Sequence, residues 1–191
     1  MAVYRVYVEK SPEYAVEAQG LLKEIRHILL IKSVTGVRVL NRYDVEGISR
    51  ELFDSCVPTV FSEPPVDAVY DSLPAADATF AVEYLPGQFD QRAASAVDCV
   101  RLIDPSAEVR IRSSKLLLFD GAVTDEEIAR IKRYYINAVE SREKDLSVLS
   151  DMEQAEVKPV AVLEGFTKMT DAELAPYCAQ YGLAMNADYL R

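Results

Sequence analysis

The sequence predicts an α+β fold built from one unit used twice, and three observations carry that prediction. Two extended stretches share a design: Gly36 to Gly47, GVRVLNRYDVEG, and Glu108 to Gly121, EVRIRSSKLLLFDG. Each opens with an apolar-Arg-apolar triplet and runs to a glycine. Each is also followed by a helix-capping residue, Ser49 or Thr124. Finally, the offsets agree. Val37, Arg38 and Val39 match Val109, Arg110 and Ile111 at 109 − 37 = 72, Leu22, Ile25 and Ile28 match Val97, Val100 and Ile103 at 97 − 22 = 75, and Ser49 matches Thr124 at 124 − 49 = 75. Short loop insertions account for an offset that drifts by a few residues.

Taken in order, Tyr4 to Glu9 alternates and reads as a strand. Ser11-Pro12 predicts an N-cap with proline at the first helical position. Leu21, Leu22, Ile25, Ile28 and Leu29 then form the apolar stripe of a helix. After the first long strand, Ser49 caps a second helix with Leu52, Phe53, Cys56 and Val60 on its apolar face. Pro58 bends or interrupts that helix, Pro64-Pro65 ends it, and Val66 to Leu73 is a short strand. The cycle restarts with Thr79 to Leu85, a Pro86-Gly87 turn, and a helix through Ala93, Val97, Val100 and Ile103. The second long strand follows, then a capping box at Thr124 to Glu127 and a helix through Ile128, Ile131, Tyr134 and Tyr135.

If each long middle strand bends into two, each copy reads β-α-β-β-α-β. That is a ferredoxin-like unit with helices on one face of an antiparallel sheet. Residues 3–73 and 79–145 are then two repeats within a 1–148 domain, expected to pack as a pseudo-dimer with Val37, Val39, Val109 and Ile111 buried in one layer. Glu140 to Lys158 is rich in charge and suits a strand and an exposed connection, with 149–165 as the connecting segment. Thr170 to Glu173 forms another capping box, Met169 and Leu174 are spaced for a hydrophobic staple, and Gly182 is the expected helix stop. Asn186 reads as the cap of a further helix. Residues 166–191 are therefore expected to begin a helical linker domain that this chain truncates.

Composition removes several function classes. A net charge of −10 and a pI near 4.7 repel phosphate backbones. No two of the seven glycines are separated by a single residue, so neither a GxGxxG nor a Walker loop can be drawn. The three cysteines, Cys56, Cys99 and Cys178, are odd in number and far apart, which fits buried thiols in a reducing cytosol. The N-terminus lacks an apolar leader core, and no apolar run approaches the roughly 20 residues that span a bilayer. The expectation is a cytoplasmic protein with neither nucleic acid nor membrane as partner.

Single candidate residues have structural explanations. His27, the only histidine, follows Arg26 on the side of the first helix away from Leu21 and Leu22. Cys56 lies on an apolar helical face, and no Cys-His dyad follows from these positions. The acids Asp125, Glu126 and Glu127 complement a helix dipole, and Glu140, Glu143 and Asp145 form a second acidic group. Arg38 and Arg110 occupy matching strand positions and are expected on the polar face, at the interface between repeats. No catalytic, cofactor-binding or metal-ligating residue is assigned.

The doubled pattern, best seen in FAVEYLPGQ, EVRIRSSKLLLF and TDEEIARI, resembles the PurS-like family of phosphoribosylformylglycinamidine synthase. The first copy, YRVYVEKSP, GVRVLNRYDVEG and SRELF, departs from it by lacking the Pro-Gly turn. Tyr181 to Met185 and Asp188 to Leu190 resemble the start of the linker segment. The resemblance implies the N-terminal assembly part of a glutamine- and ATP-dependent ligase of purine biosynthesis. It also implies a synthetase core and a glutaminase domain as partners. ATP and magnesium would belong to the full enzyme and no cofactor to these residues, which would be catalytically silent alone. The alternative class is an ACT-like regulatory module that binds a small molecule between repeats.

Overall fold

The computed structural model describes residues 2–146, 162, 165–181 and 187–190. It divides into two compact units, Met1–Ala155 and Glu156–Arg191.

The first unit is an open, antiparallel, six-stranded sheet with helices. Its elements run β1 (Val3–Lys10), α1 (Val16–His27), β2 (Val34–Glu46), α2 (Arg50–Cys56), β3 (Asp67–Tyr70), β4 (Ala78–Tyr84), α3 (Gln91–Ile103), β5 (Arg110–Gly121), α4 (Asp125–Tyr135) and β6 (Ser141–Lys144). The strand order is β3-β1-β2-β5-β4-β6. Strand, helix, strand, helix, strand therefore occurs twice. The long strands β2 and β5 meet at the centre, paired from Val34/Gly121 to Glu46/Arg110 with a bulge near Val34.

The expected bend of each middle strand does not occur. β2 is one strand of 13 residues and β5 one of 12, so each half has three strands rather than four. The reason is hydrogen-bond satisfaction. The C-terminal part of β2, Leu40–Glu46, pairs with β1, and its other edge pairs along its length with β5. Pairing with β5 along the whole of β2, and on both edges over Leu40–Glu46, holds it as one strand.

Side chains alternate across the sheet, and two apolar clusters form on the helix-bearing face. One joins Val6, Val8, Tyr43 and Val45 to Phe53, Cys56 and Phe61, and to Ala93, Ala96 and Val100 of α3. The other joins Phe80, Leu117 and Phe119 to Ile131, and to Leu21 and Ile25 of α1. Each cluster thus draws on both halves, since the first also holds Val109 and Ile111 and the second Ile31 and Val34. They correspond position by position: Ala18, Leu21 and Ile25 sit 75 residues before Ala93, Ala96 and Val100, the buried residues of each helix. Tyr43 and Val45 sit 74 before Leu117 and Phe119. Gly47 and Gly121, both with positive φ, are also 74 apart. The strand offset of 72 read from the Val-Arg-Val triplet is thus two residues short. Because two residues preserve the face of a strand, the pattern alone did not expose the slip.

Other expectations shift locally. Ser11 does not cap α1, which begins at Val16 after a turn; its carbonyl accepts from the Tyr14 N–H. Ile28 and Leu29 lie past the end of α1, and Ile28 is exposed. Pro58 falls in a π-helical turn, Val57–Phe61, that continues α2. Val109 and Ile111 are buried in the first cluster, whereas Val37 is partly buried against the second and Val39 is half-buried, so the four share a face of the sheet but are not all buried together. Ser49 and the Thr124/Glu127 box cap α2 and α4 as the pattern predicts.

In the second unit, a 3-10 turn (Phe166–Lys168) precedes α5 (Asp171–Tyr181), and α6 spans Ala187–Leu190. The Glu173 carboxylate accepts from the Thr170 N–H and hydroxyl, while Leu174 is buried and Met169 half-buried. The expected roles of Gly182 and Asn186 fall outside the described residues, as does most of the 149–165 connection.

Candidate functional site

The residues singled out beforehand do not assemble. His27 is exposed at the last turn of α1. Cys56 is fully buried in the first apolar cluster, and burial pushes its thiol pKa up. Asp125, Glu126 and Glu127 occupy the first turn of α4, where backbone donation from Thr124 and the Ser33 hydroxyl hold Glu127 below the usual carboxylate range. Glu143 pairs with Lys132 at 2.6 Å. Among the described residues, no group of three His, Cys, Asp or Glu side chains is placed to hold a metal ion.

Arg38 and Arg110 lie on the sheet face without helices, within a set of cross-strand ion pairs. Arg38 reaches Glu9, whose carboxylate raises the arginine pKa, and Arg110 reaches Glu46. Asp44 binds both Arg5 and Arg42. Beneath these pairs, Tyr7, Leu40, Ala81, Leu116 and Leu118 form a third buried cluster, against which Tyr70, Ala76 and Leu146 pack. Arg42 is 1% exposed, and burial lowers its pKa despite the neighbouring Asp44. Its guanidinium donates to the Asp145 carbonyl at 3.3 Å, while its Nε is buried without a partner. Most of these arginine contacts tie β1, β2 and β5 together.

The feature that sequence reasoning missed lies on the opposite face. A cavity of about 600 Å³ opens over the centre of the sheet, with a floor of Asn41, Tyr43, Ser113 and Lys115. Asn41 and Lys115 face each other in the β2/β5 register and are 74 positions apart, the offset that separates Gly47 from Gly121. α3 forms one wall with Arg92, Ser95 and Cys99. Val60 and Tyr135, themselves 75 apart, contribute from the ends of their respective helical segments.

This cavity mixes polar and apolar side chains where the flanking clusters are apolar. Asp90 caps α3 through the Ala93 N–H and also accepts from the Ser113 hydroxyl, tying helix to floor. Lys115 Nζ pairs with Glu17 of α1 at 2.6 Å, and the Tyr135 hydroxyl donates to the same carboxylate. Burial, reinforced by Glu17, pushes the Tyr135 phenol pKa up, so it stays a donor. Arg92 donates to the Tyr43 hydroxyl at 3.2 Å; burial is the largest influence and opposes its charge, but that bond together with the field of Tyr43, Glu17 and Asp90 outweighs it, and the pKa is raised. Cys99, expected to be buried, is exposed here because it sits on the flank of the buried stripe of α3, where the helix borders the cavity. The available signal was Asn41, Ser113 and Lys115 at inward-facing strand positions, where alternation calls for apolar residues.

No helix among the described residues is long and apolar enough to cross a membrane. No protein-family model matches the sequence, and a search of curated proteins finds no match.

Proposed function

We propose that this chain is an assembly domain of the PurS-like kind, working in a glutamine- and ATP-dependent phosphoribosylformylglycinamidine synthase. The observation that carries the reading is that both cores are shared between the halves: α3, with Val109 and Ile111, joins β1 and β2 in one, and α1, with Ile31 and Val34, joins β4 and β5 in the other. Two copies of a small unit related by a local two-fold axis between β2 and β5 account for this arrangement. The stretches behind the resemblance occupy equivalent roles in it: FAVEYLPGQ supplies β4 and its turn, EVRIRSSKLLLF β5, and TDEEIARI the capped start of α4.

On this reading the chain holds a synthetase core and a glutaminase domain in an arrangement that passes ammonia between them. The test is reconstitution. Synthetase and glutaminase portions lacking this segment are assayed for product with glutamine or with ammonium as nitrogen source, with and without the chain. Glutamine-dependent synthesis is expected to fall without the segment and recover on its addition, while ammonium-dependent synthesis changes less. Equal glutamine coupling with and without the segment refutes the proposal. The regulatory reading has one observation in its favour, the cavity at the junction of the halves. That cavity lies over the central strands β2 and β5.

A further inference from the structure

We infer that the cavity over β2 and β5 is a binding site for a small carboxylate of the α-amino-acid class, anchored by Arg92 and Lys115. This stands independently of the assembly role. At about 600 Å³ the space is within the range that encloses small ligands. Its floor breaks the apolar rule of the sheet face at Asn41, Ser113 and Lys115, and the Asn41 amide has no hydrogen-bond partner among the described residues.

Charge selects the ligand. Arg92 makes no ion pair among the described residues; its guanidinium is held by a neutral phenol, Tyr43, and the other donors of its fork are free for a planar carboxylate. Lys115 stands on the floor with Glu17 as its partner. Glu17, Asp90 and the lining residue Glu140 outnumber Arg92 and Lys115 around this space, so a zwitterion with no net charge suits it and a phosphate dianion does not. Glu140 is also the acceptor an α-ammonium group requires. Hydroxyls of Ser95 and Ser113 and the amide of Asn41 suit a polar ligand body.

Cys99 lines the cavity and is exposed, so its thiol reports occupancy. The experiment uses the full chain with Cys178→Ser, since Cys56 is buried. Modification of Cys99 by a maleimide is timed in the presence of L-glutamine, L-glutamate or L-serine, with L-glutaminamide and inorganic phosphate as comparisons at equal ionic strength. At least one amino acid is expected to slow the reaction saturably, and the amide lacking the carboxylate is not. Arg92→Gln is expected to raise the half-protecting concentration about tenfold or more with an unchanged circular dichroism spectrum. Chemical-shift changes at Asn41 and Ser113 on titration provide a readout independent of the thiol. Absence of saturable protection and shifts with all three amino acids overturns the inference. So does equal protection by phosphate or glutaminamide, or protection unaffected by Arg92→Gln.

Discussion

Replacing Gly121 by alanine tests the close approach of the two halves at the end of the central strand pair. Gly121 has φ +121°, and a Cβ built there would lie well inside 3.0 Å of the Ser33 carbonyl oxygen. Gly47 repeats the arrangement: φ is +87° and the obstructing atom is the Glu108 carbonyl oxygen. Each obstruction is backbone from the other half, so it cannot swing away as a side-chain end would. Gly87 supplies the control, with φ +91° and nothing within 4 Å of a built Cβ. Gly87→Ala should therefore show only the conformational penalty, about 1–2 kcal/mol. Gly47→Ala and Gly121→Ala add the cost of separating the strand end from its neighbour, for totals of about 3 kcal/mol or more each. Urea titrations followed by far-ultraviolet circular dichroism give the three losses, provided the slopes stay constant. If Gly121→Ala costs no more than Gly87→Ala, the close approach of the halves is misjudged and the 74-residue correspondence loses its main anchor.

Ile25→Ala and Ile131→Ala should each cost about 2–5 kcal/mol. Because both residues sit in one cluster drawn from opposite halves, their double mutant should depart from additivity by about 0.5 kcal/mol or more; strict additivity in denaturation would contradict the shared core. Leu30 has φ +56° and is 72% exposed, so Leu30→Gly should stabilise the protein by about 0.5–1 kcal/mol, measured as a rise in midpoint at constant slope. Glu127 has a depressed folded-state pKa, so its contribution is present above its ordinary value of 4.5 and is lost as pH falls through the folded value. Glu127→Gln should flatten the acid limb of a stability–pH profile in that window, and an unchanged limb would refute the assignment. In native protein a thiol reagent should modify Cys99 readily and Cys56 only at the rate of unfolding; rapid labelling of Cys56 would contradict its burial.

Local chemistry was legible from the residues alone. Alternation marked β1, β4 and the long strands, because a strand half-buried on one face records that burial at every second position. Ser49 and the Thr124/Glu127 box marked the starts of α2 and α4, because capping bonds join residues only three apart. The doubled order followed from these signals. What the chain does with its long strands was decided by tertiary pairing: β2 and β5 stay straight because each finds its second partner in the other half. The register of the repeat was settled the same way, since slips by two keep every side chain on its face and only the inter-strand bonds distinguish them. The sharing of each core between the halves left no local trace, as an apolar stripe demands burial without naming its partner. The cavity depended on it most. Asn41 and Lys115 are ordinary polar residues on separate strands until β2 pairs with β5 and sets them face to face.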